Sequence, residues 1–209
     1  MTFTRSLLLI LLVLLAIFWR RVLFVGGGGL VSLGHLIQGV VSGFDRKGEI
    51  GAPEEILERV LTDNEQASQV ERWLGGPAHK PEVMIVMCMD PRLNSEVIVG
   101  DSRHYYDVVR LPGSVLSEDV IEAIELGVQE HRLKVVLLTT HTDCAMEKVA
   151  HSAAAKEYPV LSLAVQRREE MFQRLLQRPA IASRLQAGTL LVRRFQIDTT
   201  TGRLLPPQP

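Results

Sequence analysis

Val83-Met84-Ile85-Val86-Met87-Cys88-Met89-Asp90-Pro91-Arg92 and, farther along, Val135-Val136-Leu137-Leu138-Thr139-Thr140-His141-Thr142-Asp143-Cys144 carry the reading of the fold. Each begins as a short aliphatic run without charge and ends abruptly in ionisable residues. Such a run reads as a strand buried on both faces, the pattern of a parallel sheet covered by helices. The polar residues then sit at the carboxyl ends of two strands, the edge where open parallel sheets collect ligands. The chain's two cysteines, Cys88 and Cys144, fall one in each stretch.

Working outward, the 209 residues suffice for one domain with a sizeable core and an appendage. A formal net charge of -1 speaks against a nucleic-acid partner held by bulk electrostatics. Two cysteines make no disulfide framework, and their placement beside Asp, Arg and His speaks against inert core thiols.

The first 44 residues differ from the rest. Ser6 to Trp19 is almost wholly aliphatic, Arg20 and Arg21 follow, and Val22 to Phe44 is again uncharged, with Gly26 to Gly29 inside it. The first run is short against the ~20 apolar residues a spanning helix needs. It has the length of a signal-peptide core, but no small-residue cleavage site follows. Residues 1–44 are therefore expected to be an uncleaved hydrophobic anchor or signal-like segment, with the glycines weakening the second run as a helix. A hairpin, one span with an interfacial neighbour, a misassigned start and a buried core helix are the competing readings. Arg20-Arg21 after a single span would put the following domain on the cytoplasmic side of the membrane, and thiolates also favour a reducing compartment. Residues 45–53 read as a linker.

From residue 54 to 209 strands and helices alternate. Pro53 opens a helix with Ile56, Val60 and Leu61, and a second carries Ala67, Val70, Trp73 and Leu74. Strands are expected at about 82–88, from Tyr105 to Arg110, from Lys134 to Thr139, and from Thr189 to Val192 with Phe195 to Ile197. Arg203-Leu204-Leu205 is a candidate edge strand. Ser117 should cap a helix whose apolar face is Val120, Ile121, Ile124 and Val128, and one long amphipathic helix should follow Pro159. The fold class is α/β: a mostly parallel central sheet of four to five strands flanked by helices, preceded by the hydrophobic membrane segment.

Neighbouring parallel strands would bring Cys88 to Cys144. His141 and Cys144 are three apart, so one turn at a helix start can present both to a single ion. Two thiolates and one imidazole suit zinc, and the fourth position separates a structural site from a catalytic one. Asp90 can supply that fourth ligand. Alternatively Arg92 pairs with Asp90 in a fork, keeps it ionised and off the metal, and leaves room for a water whose pKa falls toward ~7.

Cys88-Met89-Asp90-Pro91-Arg92 followed by His141-Thr142-Asp143-Cys144 resembles the CxDxR and HxxC motifs of the β-class carbonic anhydrases. The likeness runs from about residue 54 to 205 and takes in Arg110-x-x-Gly113 and the terminal Val192-Arg-Arg-Phe…Asp198…Thr201-Gly202-Arg-Leu. It implies a zinc lyase, a carbonate dehydratase that interconverts carbon dioxide and bicarbonate through zinc-bound hydroxide. It assigns one zinc per chain to Cys88, His141 and Cys144, and the catalytic dyad to Asp90 and Arg92. It also implies a homodimer or dimer-based oligomer with the cleft at the subunit interface.

The family usually has glycine after the second cysteine, where this chain has Ala145. Alanine is strained if that position needs a positive φ and harmless if it is helical. Arg110-Leu111-Pro112-Gly113 replaces the common Arg-Asn-Ala-Gly. His104, His131 and His151 are candidate proton relays. Tyr105 and Tyr106 read as strand residues, and Met84, Met87 and Met89 as core or site surroundings. Two further functions fit the same residues: a non-catalytic zinc-binding membrane or assembly protein in which Asp90 closes the site, and hydrolysis of another heterocumulene such as carbon disulfide.

Overall fold

The computed structural model describes residues 2–41, 61–62, 65, 81–99, 106–130 and 133–207. The linker at 45–53 lies outside the described residues. So do nearly all of the two helices expected between 53 and 75, of which 61, 62 and 65 are helical. His104, Tyr105 and His131 lie outside them as well. The chain divides into two compact units, Met1–Pro77 and Ala78–Pro209.

In the first unit one unbroken helix, α1, runs from Thr2 to Val41. It passes through Gly26 to Gly29 without a break, so the glycines do not divide the apolar segment in two. The side chains described on α1, residues 18–37, are all exposed, which leaves a buried core helix without support there. Among the described residues no helix is long and apolar enough to cross a membrane, so the expected membrane segment is unsupported.

The second unit is built on a five-stranded sheet. Its strands are β1 (Val83–Cys88), β2 (Tyr106–Leu111), β3 (Val135–His141), β4 (Leu191–Ile197) and β5 (Leu204–Leu205). They lie in the order β2-β1-β3-β4-β5, and every pairing is parallel except β5 on β4. The intervening helices are α2 (Ser95–Val99), α3 (Glu118–Gln129), α4 (Ala145–Ala150), α5 (Pro159–Gln166), α6 (Arg168–Gln177) and α7 (Pro179–Gln186). The mostly parallel α/β sheet is therefore as expected.

β1 shows why its aliphatic run is unbroken. Met84 and Val86 face a cluster with Ile121, Ile124, Val136 and Leu175, whereas Ile85 and Met87 face a second cluster with Leu93 and Ile197. Both faces are dry, so polar alternation would bury unpaired groups. Ile121 and Ile124 of α3 are fully buried, each worth roughly 1.5–3 kcal/mol of transfer free energy.

Several local expectations change. Ser117 stands at the N-cap of α3, but its hydroxyl donates to the Asp119 carboxylate at 2.5 Å instead of capping a backbone N–H. The long helix after Pro159 is two, parted at Arg167. β4 is one continuous strand despite Arg193 and Arg194. Arg194 lays its guanidinium over Phe172 at 4.4 Å and pairs with Glu169, so its charge leaves the sheet while its stem covers apolar surface.

Candidate metal centre

β1 and β3 are adjacent and parallel, with Val83 opposite Val135 and Val86 opposite Leu138. Their carboxyl ends therefore emerge side by side. Cys88 is the last residue of β1 and His141 the last of β3, while Cys144 is the N-cap of α4. His141 and Cys144 are thus presented by a strand end and a helix cap, not by one helical turn. The turn between them is made by Asp143, whose φ is +61°. Ala145 is the first residue of α4, a helical position where alanine is harmless. The conformational cost falls on Asp143 instead.

One ligand atom from each of Cys88, His141 and Cys144 lies within 4.8 Å of the other two. All three residues are buried, and neither cysteine is in a disulfide. His141 Nδ1 donates to the Thr142 carbonyl at 2.9 Å, which fixes the tautomer and leaves a lone pair on Nε2. That Nε2 is buried without a hydrogen-bond partner. Burial pushes the Cys144 thiol up, the Cys88 sulfur adds to the shift, and the Glu147 backbone N–H pulls against it. An orphaned imidazole nitrogen beside two buried thiols has a simple resolution: a cation that takes the lone pair and both sulfurs. The donor set fits zinc.

The turn is held from the sheet. Thr142 N–H donates to Ile197 O at 2.9 Å, and Thr199 N–H donates to Thr142 Oγ1 at 3.0 Å. The buried Thr139 hydroxyl donates to Val86 O at 2.9 Å, tying β3 to β1 just below the site.

Asp90 turns toward Arg92. Its Oδ1 accepts from Arg92 N–H at 2.9 Å and Nε–H at 3.0 Å, and its Oδ2 accepts from Nη2 at 2.8 Å. These side-chain and backbone bonds from Arg92 hold the Asp90 carboxyl well below the usual carboxylate range. The carboxylate stays ionised at any ordinary pH, and the fork with it.

Three contributions to the site went unread in the sequence. Arg110 donates from Nε to Cys88 O at 3.2 Å and from Nη2 to Asp90 O at 2.6 Å, clasping the backbone of the first motif. Asp143 accepts from Arg92. Glu147 pairs with Arg168, whose Nη2 reaches Gly113 O at 2.8 Å. The parallel register that sets Cys88 opposite Leu111 puts Arg110 there, and no local pattern reveals it. Gly113 has φ +62° and a Cβ there would sit 3.2 Å from Met146 Cβ, so that step does require glycine. His151 is exposed at the end of α4 and lines, with His141, Ser114 and Glu147, a cleft of about 520 Å3. Tyr106 is a half-buried strand residue; Met84 and Met87 are core, and Met89 is exposed.

The carbonic anhydrase family profile matches residues 83–177, which span both motifs. β-Carbonic anhydrase 1 of Mycobacterium tuberculosis is 32% identical over 91 residues, 41% of this chain and 56% of that protein. Profile, curated relative and shared motifs all indicate the β-carbonic anhydrase family. A β-carbonic anhydrase fold explains the likeness to the tetrameric β-carbonic anhydrases of Sordaria macrospora. There the TM-score is 0.52 at 18% identity, covering 72% of this chain and 95% of that one. The carbon disulfide hydrolase of Saccharolobus solfataricus is 28% identical over 87 residues, 42% of this chain and 43% of that protein. The chain spans about half the length of the curated relatives it matches.

Proposed function

We propose that the chain is a zinc-dependent carbonic anhydrase that reversibly hydrates carbon dioxide to bicarbonate and a proton. Cys88, His141 and Cys144 would hold one zinc per chain, and Asp90 with Arg92 would form the catalytic dyad. The observation that carries this reading is the orientation of Asp90. Both of its oxygens are engaged by Arg92, so the protein offers three donors and leaves a fourth position open. Zinc held there would supply Lewis acidity, lowering a water's pKa toward ~7 and so providing a nucleophile at neutral pH.

The chain's own residues do the rest. The bond from His141 Nδ1–H to the Thr142 carbonyl fixes the imidazole plane. Asp90 Oδ2 has one donor where Oδ1 has two, so Oδ2 keeps the freer lone pair to accept a proton-bearing oxygen and aim it at the carbon. Arg92 keeps that carboxylate ionised and away from the ion, and Arg110 holds the backbone on which both sit.

Stopped-flow hydration of carbon dioxide by the full chain, with zinc measured on the same sample, tests the reading. Turnover should rise with pH through neutrality while zinc stays near one per chain. A zinc-replete, folded sample that is inactive above pH ~8 would sink it. The carbon disulfide hydrolase relative supports a second reading in which the same nucleophile attacks that electrophile. Sulfide release from carbon disulfide exceeding carbon dioxide hydration on the same sample would favour it.

We also propose that the chain forms a dimer. An apolar groove of about 530 Å3 runs between Leu111–Ser117 and α5, with Val160 82% and Leu163 52% exposed beside it. Sedimentation velocity should show at least a dimer, and a monomer at micromolar concentration would refute this.

A further inference from the structure

The Arg92 guanidinium is held by two carboxylates. One edge forks onto Asp90 through Nε and Nη2. The other meets Asp143 twice: Nη1 donates to Oδ2 at 3.0 Å, and Nη2 to the Asp143 backbone carbonyl at 3.1 Å. The second Asp143 oxygen pairs with Lys148, one turn into α4. Asp143 and Ser114 are the two residues other than glycine with positive φ among the described residues. At Asp143 the left-handed backbone has a visible return. It lets carbonyl and carboxylate face one guanidinium while the next residue, Cys144, begins a helix.

We propose that Asp143 is a positioning residue that holds Arg92 on Asp90 and thereby keeps Asp90 off the metal. The inference rests on the zinc site proposed above. The Arg92 side chain is 44% exposed, and its bond to Asp90 spans only two residues. The Asp90 side chain is only 11% exposed and takes a two-toothed fork, so the weak point of the pair is the solvent-facing guanidinium. Asp143 changes that by fastening Arg92 to the turn after the neighbouring strand, 51 residues away in sequence. Without it, Arg92 can swing into solvent. Asp90, two residues from Cys88, is then free to turn toward the three metal donors and close the fourth position.

The test uses the full chain carrying cobalt(II) in place of zinc, titrated with thiocyanate and followed by the visible spectrum, alongside hydration kinetics of the zinc form. Asp143→Gly removes both side-chain contacts and suits the positive φ, so its melting temperature should hold. Its thiocyanate affinity should fall more than ~10-fold and its kcat by ~10–100-fold, with metal content unchanged. Asp143→Asn, which keeps the shape and tolerates the same backbone, should shift both in the same direction by less. The double variant Asp143→Gly/Asp90→Asn should regain the parent's thiocyanate affinity without regaining turnover, a rescue that a merely structural role would not give. Parent-like thiocyanate affinity in Asp143→Gly, or no rescue in the double variant, overturns the proposal. A parent that binds cobalt and thiocyanate yet hydrates no carbon dioxide overturns the proposed activity alone.

Discussion

Cys144→Ser should leave a folded chain that neither retains zinc nor hydrates carbon dioxide. Cys144 occupies the N-cap of α4, where its side chain makes no cap bond. Serine is a favoured residue at that position, so the helix start should be preserved. The metal site has no such tolerance. A serine hydroxyl does not ionise near neutral pH, and with the thiolate gone only Cys88 and His141 remain as strong donors. Loss of an outer partner of a metal ligand typically costs 10–100-fold in metal affinity, and loss of a ligand should cost more. After dialysis against a weak chelator, zinc should fall below about a tenth of an equivalent and hydration to the uncatalysed rate, with far-ultraviolet circular dichroism unchanged. Full zinc retention would remove Cys144 from the ligand set.

Asp90→Asn should separate chemistry from metal binding. Asparagine keeps the shape and can still accept from Arg92, but it carries no charge and offers Oδ1 alone as acceptor. Because both Asp90 oxygens face Arg92 and not the three donors, zinc content should stay at the parent's level. Turnover should fall by about 10²–10³-fold, the range for removing a group that positions or takes a proton in the transition state. Loss of zinc in Asp90→Asn would mean that Asp90 is a ligand and the site is closed, the non-catalytic alternative. A kcat within about threefold of the parent would remove Asp90 from the reaction.

Much of this site is legible in the order of the residues. The aliphatic runs ending at Cys88 and His141 read as buried parallel strands because a strand covered on both faces has no room for polar alternation. Parallel strands end at a common edge, so Cys88 and Cys144 can be brought together without knowing the register. The possibility of an Arg92–Asp90 fork is equally local, since the two residues lie two apart on one turn, although the sequence leaves Asp90 free to face the metal instead.

What stays hidden is non-local. Arg110 reaches Cys88 O because β2 pairs with β1 in one particular register, and Asp143 reaches Arg92 because two strand ends meet. The helix after Pro159 breaks at Arg167 with no proline or glycine to announce it; Arg168 beyond the break reaches Gly113 and Glu147. β4 runs through two arginines because their charged ends find Glu169, Phe172 and the Val192 carbonyl.

Composition and short-range spacing are thus enough for the α/β class, the β-carbonic anhydrase likeness and the identity of the candidate metal donors. Each of these depends on residues adjacent in the chain or on the shared direction of parallel strands. Packing across the sheet settles three other matters: Asp90 faces Arg92, the backbone cost lies at Asp143 and not at Ala145, and Arg110 clasps the first motif. These turn on distances of a few ångströms, most of them between residues far apart in the chain, which strand register and side-chain packing set and local patterns do not encode.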